Sequence, residues 1–95
     1  MKEKVLFVDD EQNILFSMRR NLHSSYDVHT AESADEGIAT ISKQGPFKVV
    51  VSDFRMPGRD GMSFLTEVRE KWPNSILIML TGQADFQTAV QAINE

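Results

Sequence analysis

The chain has 95 residues, which suits one domain close to the minimum size for a single hydrophobic core. Apolar residues form 41% and charged residues 25% of the sequence, so a fibrous or intrinsically disordered chain is excluded. The formal net charge of -4 argues against direct nucleic-acid binding. The absence of cysteine excludes disulfides and fits the cytoplasm. No apolar run is long enough for a signal peptide or a membrane span.

Four short segments predict the strands of a sheet. Residues 5–8, 49–51 and 76–80 are continuous apolar runs that are rich in β-branched residues. Such runs are typical of parallel strands that are buried on both faces. Residues 26–31 alternate more between polar and apolar side chains, which favours an edge strand.

An amphipathic segment follows each predicted strand. In each segment apolar residues recur at helical spacing, so each helix is expected to bury one stripe against the sheet. The stripes are Ile14, Leu15, Met18 and Leu22; Ala34, Ile38 and Ile41; Phe64, Leu65, Val68 and Trp72; and Phe86, Ala89, Val90 and Ile93. The order βαβαβαβα predicts an α/β fold with a doubly wound parallel sheet, and binding residues are expected at the carboxyl ends of its strands.

Polar residues occupy three of those carboxyl ends. Asp9 and Asp10 follow the first strand, Asp53 closes the third, and Thr81 closes the fourth. Carboxylates that are crowded into one site repel one another and raise one another's pKa unless a cation neutralises them. Because oxygen ligands suit hard cations, the sequence predicts a Mg²⁺ site that is formed by the acids.

Each of these acids also has a simpler interpretation. Asp9 and Asp10 precede a predicted helix, where acidic residues commonly act as caps. Asp53 taken alone is typical of an ordinary loop acid. His23 and His29 lack a third ligand at workable spacing, so they are expected at surface or edge positions.

Three segments together resemble the receiver domains of two-component response regulators. They are Val8-Asp9-Asp10-Glu11, Asp53-Phe54-Arg55-Met56-Pro57-Gly58-Arg59-Asp60-Gly61 and Thr81-Gly82, in the order and spacing of that family. The resemblance implies a flavodoxin-like fold and one receiver domain over residues 1–95. It also implies a phosphoacceptor signalling domain that is not an enzyme, with a sensor histidine kinase or phosphotransfer protein as its partner.

The resemblance assigns a role to each site residue. Asp53 matches the phosphoacceptor, and Thr81 matches the hydroxyl that contacts the phosphoryl group. Asp10 and Asp53 match direct Mg²⁺ ligands, Asp9 matches a ligand that acts largely through water, and the backbone carbonyl of Arg55 matches the remaining protein ligand. Gly61 matches a residue that shapes the loop after Asp53, where a glycine permits a positive φ.

A complete receiver has a fifth strand and a fifth helix, with a lysine at the end of that strand. No lysine follows Thr81 in this sequence. A receiver that is truncated before the fifth strand is therefore expected, with weakened phosphorylation and with the C-terminal effector domain missing. The exposed fourth strand and the fourth helix are expected to mediate self-association.

Two other functions remain open from the sequence. The first is a phosphorylation-independent interaction or dimerisation fragment, which the missing lysine favours. The second is a Mg²⁺-dependent aspartyl phosphohydrolase. The usual signature of that class has a second Asp two residues after the nucleophile, and neither Asp9-Asp10-Glu11 nor Asp53-Phe54-Arg55 has this spacing.

Overall fold

Four strands and three helices alternate through residues 2–80, the part of the chain that this computed structural model describes. The elements are β1 (Lys4–Val8), α1 (Gln12–Leu22), β2 (Asp27–Ala31), α2 (Ala34–Gln44), β3 (Val49–Asp53), α3 (Gly61–Lys71) and β4 (Ile76–Leu80). The predicted strands and the first three predicted helices are thereby confirmed. The predicted fourth helix lies outside the described residues. Within residues 2–80, no helix has both the length and the apolar character that crossing a bilayer requires.

The strands form one parallel sheet in the order β2-β1-β3-β4. The chain moves from β1 to β2 on one side and then crosses to β3 on the other, so strand order reverses at the carboxyl ends of β1 and β3. Open α/β sheets bind ligands at such a reversal. The predicted doubly wound, flavodoxin-like sheet is confirmed, and the acids of the candidate site lie at its reversal point.

Side chains of each strand alternate between two apolar layers, because successive residues point to opposite faces. Leu6 packs into the larger buried cluster with Phe64, on the side that α2 and α3 cover. Val5 and Phe7 pack into a second cluster with Leu15, on the side that α1 covers. The two layers hold the central strands, and hence the acids at their ends, in a fixed position.

The first helix differs from prediction at one residue. Ile14 was expected in the buried stripe of α1, but it is 37% exposed, whereas Leu15 is 5% exposed. Met18 and Leu22 pack partly buried beside Leu15, and these three residues define the inner face. Ile14 lies about 100° around the helix from Leu15, which places it at the border of that face.

Two glycines shape the loop between β3 and α3 in different ways. The positive φ occurs at Gly58, where φ is 84°, and not at Gly61. Gly61 is required for space: a Cβ there would overlap the backbone oxygen of Asp53 and lie 3.1 Å from the Phe54 Cα. The start of α3 therefore packs directly against the backbone of the residue that ends β3.

We expect Gly61→Ala to destabilise the protein more than Gly58→Ala. At Gly61 the new methyl group must displace the backbone of Asp53, which costs about 3 kcal/mol or more. At Gly58 no atom lies within 4 Å of the added Cβ, so only the left-handed backbone conformation opposes the change, at about 1 to 2 kcal/mol. Urea unfolding measures both losses, and equal losses would contradict the steric role of Gly61.

Candidate metal centre

Three carboxylates meet at the carboxyl edge of the sheet. Val8 pairs with Ser52 in the register of β1 and β3, so the next residues, Asp9 and Asp53, lie side by side. Asp10 follows immediately. One carboxylate oxygen from each acid lies within 4.8 Å of one from each of the other two. This spacing suits a single hard cation that is bound by several oxygens.

Asp9 is held by hydrogen bonds to the backbone at the start of α1 and at the end of β2. Its Oδ1 accepts a hydrogen bond from the Glu11 N–H at 2.9 Å, and its own N–H donates to the Ala31 carbonyl at 3.1 Å. Glu11 is the N-cap of α1 and provides no side-chain cap. The capping interpretation thus holds in part for Asp9, whose side chain binds the N–H of the N-cap residue, while its placement beside Asp53 is explained by the edge of the sheet.

The backbone around Asp53 is fixed on both sides. The buried Ser52 hydroxyl donates to the Asp53 carbonyl at 2.9 Å. The Phe54 N–H donates to the Leu80 carbonyl of β4, and the Gly61 N–H donates to the Phe54 carbonyl, both at 2.9 Å. Because its backbone is held in this way, the carboxylate of Asp53 has a defined position beside Asp9.

Burial and repulsion both disfavour the charged forms of two of these acids. The pKa of Asp9 is raised chiefly by burial and further by the nearby carboxylates, of which Asp53 has the largest effect. The pKa of Asp53 is also raised chiefly by burial, and then by Asp10 and Glu11. Hydrogen bonds from backbone N–H groups offset part of each rise. A bound cation would remove the repulsion, so the donor set fits Mg²⁺.

A salt-bridge network connects the loop after β3 to α2 and α3. The sequence did not predict this network. Arg59 Nε donates to Ser63 Oγ at 3.0 Å, and its guanidinium binds the Glu67 carboxylate and lies 3.8 Å from Asp35 of α2. The pKa of Glu67 is held below its ordinary value by Lys71 and Arg59. Spacing along α3 indicates the Glu67–Lys71 pair, but the approach of Arg59 depends on the folded loop.

Other predicted site residues have different outcomes. Arg55 lies in the loop two residues after Asp53 with an exposed side chain, and the role of its carbonyl stays a prediction. Thr81 lies outside the described residues. His29 lies on β2, as expected for an edge position, and its ring packs edge-on against Phe47 with the centroids 5.0 Å apart. Its Nε2 is 3.2 Å from Asp27 Oδ1, without the alignment of a hydrogen bond.

Known proteins are similar to this chain in sequence and in fold. The hydrogenase transcriptional regulatory protein HoxA of Cupriavidus necator is 42% identical over 91 residues, which are 96% of this chain and 19% of HoxA. A crystal structure described as adenylate cyclase from Rhodopirellula baltica is 41% identical with a TM-score of 0.86, covering 99% of this chain and 70% of that one. The response regulator TrrA from Thermotoga maritima, in complex with Mg²⁺-BeF, is 28% identical with a TM-score of 0.80, covering 98% and 81%.

These matches extend through the candidate site. The chain spans about a fifth of the length of the curated relatives that it matches. The family description "Response regulator receiver domain" matches residues 5–95, a range that contains Asp9, Asp10 and Asp53. The chain therefore belongs to the receiver-domain family of two-component response regulators.

Proposed function

We propose that Asp53 accepts a phosphoryl group from a sensor histidine kinase or phosphotransfer protein, with Mg²⁺ bound by Asp10 and Asp53. The observation that carries the proposal is the meeting of three carboxylates within 4.8 Å at the strand-order reversal of a receiver-family chain. Asp9 acts largely through water. The Arg55 carbonyl completes the protein ligands, and the Thr81 hydroxyl contacts the phosphoryl group.

The proposed reaction is an in-line transfer between two side chains. A carboxylate oxygen of Asp53 attacks the phosphorus of a phosphohistidine, an O–P bond forms, and the P–N bond breaks. The histidine leaves with the electron pair of that bond and gains a proton from water. Mg²⁺ would neutralise the negative charge on the phosphoryl oxygens.

The chain's own residues supply position rather than acid–base chemistry. The Ser52 hydroxyl and the N–H of Gly61 hold the carbonyls of Asp53 and Phe54, so the attacking oxygen of Asp53 is presented at the open edge of the sheet. Asp9 is 7% exposed, and its carboxylate lies in the same cluster as that of Asp53, where it adds negative charge for the cation to neutralise. Positioning and charge neutralisation are the main requirements of phosphoryl transfer.

The partners of this receiver follow from the same proposal. A kinase delivers the phosphoryl group, and an effector region receives the signal, as the much greater length of the curated relatives supports. A cytoplasmic location is proposed because the kinase domains that serve receivers act there. Self-association through β4 and the fourth helix stays a prediction, since that helix lies outside the described residues.

Beryllofluoride with Mg²⁺ should mimic the phosphorylated state in the wild-type chain and not in Asp53→Asn. We expect Mg²⁺ alone to change amide chemical shifts near Asp9 and Asp53, and beryllofluoride to cause a further change only when Mg²⁺ is present. Asp35→Asn is the matched control, because Asp35 is an exposed acid at the start of α2 and outside the carboxylate cluster. No response in the wild type would favour the phosphorylation-independent fragment, and a full response in Asp53→Asn would place the acceptor elsewhere.

Without Mg²⁺, Asp53→Asn should raise the midpoint of thermal unfolding. The substitution removes a carboxylate whose charged form is disfavoured by burial and by Asp10. Mg²⁺ at about a hundred times its dissociation constant should stabilise the wild type by about 2.7 kcal/mol and the variant much less. Asp35→Asn should instead lower the midpoint slightly, because Asp35 lies in the favourable first turn of α2. If Asp53→Asn unfolded at a lower temperature than the wild type in chelator, the claim that crowded carboxylates destabilise the fold would be contradicted.

Mg²⁺ affinity should fall as the pH is lowered from about 7 towards about 4. The pKa values of Asp9 and Asp53 are raised in the folded protein, so protons compete with the cation over this range. Without a metal, the stability of the fold should instead increase as the pH is lowered. The folded state binds these protons more tightly than the unfolded state, so their contribution to stability is lost as the pH rises through the folded pKa values. Titrating Mg²⁺ at several pH values tests the first effect, and a flat profile would contradict it.

A further inference from the structure

The five lysines of the sequence all lie at the amino edge of the sheet, opposite Asp53. In a doubly wound fold each helix runs back against its strands, so helix ends and strand starts share this edge. Lys4 begins β1, Lys48 precedes β3, and Lys43 and Lys71 lie in the last turns of α2 and α3. The amino edge is therefore rich in ammonium groups, whereas the opposite, carboxyl edge holds the acidic cluster.

Four of these lysines line a single cavity of about 640 Å³. This volume lies within the usual range of small-molecule sites. Lys2, Lys4, Lys48 and Lys71 are joined there by one acid, Glu3, and Lys71 is already paired with Glu67, so two net positive charges remain. Trp72 and Phe47 are among the apolar residues that line it.

The backbone at the base of the cavity is held by hydrogen bonds between neighbouring segments. Ser75 Oγ donates to the Phe47 carbonyl at 2.5 Å. The Lys48 N–H donates to the Lys4 carbonyl, and the Ile76 N–H donates to the Lys48 carbonyl, both at 2.9 Å. The cavity is formed by the segments that lead into β1, β3 and β4 and by the end of α3. These hydrogen bonds hold the segments together before any ligand arrives, which lowers the entropic cost of binding.

The lysines retain donors for an anion. Lys4 Nζ gives one hydrogen bond to the Gln44 carbonyl at 2.6 Å, which leaves two of its three N–H donors. Lys48 makes no side-chain hydrogen bond or ion pair with any described residue. Lysine is a point-charge ligand for phosphate, and an indole ring offers a flat surface for a planar ring to stack on.

We propose that this cavity binds a small phosphorylated compound with a planar ring, of the nucleotide class. The phosphates pair with Lys4 and Lys48, and the ring lies against Trp72. The volume of this open cavity and the aromatic residues in its lining favour a compact ligand of this kind over an extended acidic peptide, which needs no such cavity. The site is separate from Asp53 and does not depend on the phosphoacceptor proposal.

Fluorescence of Trp72, the only tryptophan of the sequence, reports directly on the cavity. The wild-type chain is titrated with ATP and with GMP in excess chelator, so that no metal bridges the nucleotide to the acidic site. Excitation is set at the long-wavelength edge of indole absorption, where nucleotides do not absorb. Saturable quenching that weakens with added salt is the expected result, and the absence of quenching overturns the proposal.

Lysine variants distinguish binding in the cavity from general electrostatic attraction to the lysine-rich edge. Lys48→Gln should weaken binding about tenfold, the usual effect of losing one charge-assisted contact. Lys43→Gln is the matched control, because Lys43 lies at the same edge without lining the cavity, and it should leave affinity nearly unchanged. Equal losses in the two variants overturn the proposal, since they show charge attraction alone. Circular dichroism verifies that both variants are folded.

Two competitors test the chemical class of the ligand. Inorganic triphosphate should bind more weakly than ATP, because it lacks the ring that contacts Trp72. A poly-glutamate peptide should compete poorly with ATP for the cavity. Triphosphate that binds as tightly as ATP, or a peptide that binds more tightly than ATP, overturns the assignment to a nucleotide.

Discussion

The parallel register of β1 and β3 is the constraint on which the candidate site depends. Val8 faces Ser52 between buried apolar layers, so the two following acids have to emerge side by side. The backbone cannot separate Asp9 from Asp53 without breaking the pairing of the two central strands. The fold therefore concentrates negative charge where it is unfavourable, and that cost is the reason the site suits a divalent cation.

Close packing of α3 against the end of β3 adds a second constraint. Gly61 brings the start of the helix against the Asp53 backbone, and the Arg59 network ties the same loop to α2 and α3. A phosphoacceptor needs its attacking oxygen fixed relative to the metal, since small displacements cost large factors in rate. Residues with no contact to a metal or phosphoryl group thus set the geometry of the proposed chemistry.

Most of the sheet and the acidic cluster could be predicted from the sequence, because both depend on local patterns. Apolar runs define buried strands, and an acid directly after such a run lies at the carboxyl edge. Features that depend on contacts between segments distant in the sequence could not be predicted. The steric role of Gly61 requires knowledge of where the Asp53 carbonyl lies, and the Arg59 network requires α2 beside α3. Ile14 was misplaced because helical spacing does not fix the border of a stripe.

The lysine cavity and the acidic site are linked by two short strands, β1 and β3. Lys48 precedes β3 and Asp53 ends it, and its five residues span about 16 Å. A ligand at the lysine cavity would change the state of Asp53 only if it bound two conformations of the protein with different affinity. Because β1 and β3 are buried and paired on both sides, they transmit no gradual bending, so any coupling between the edges requires a discrete shift in the loops that they connect.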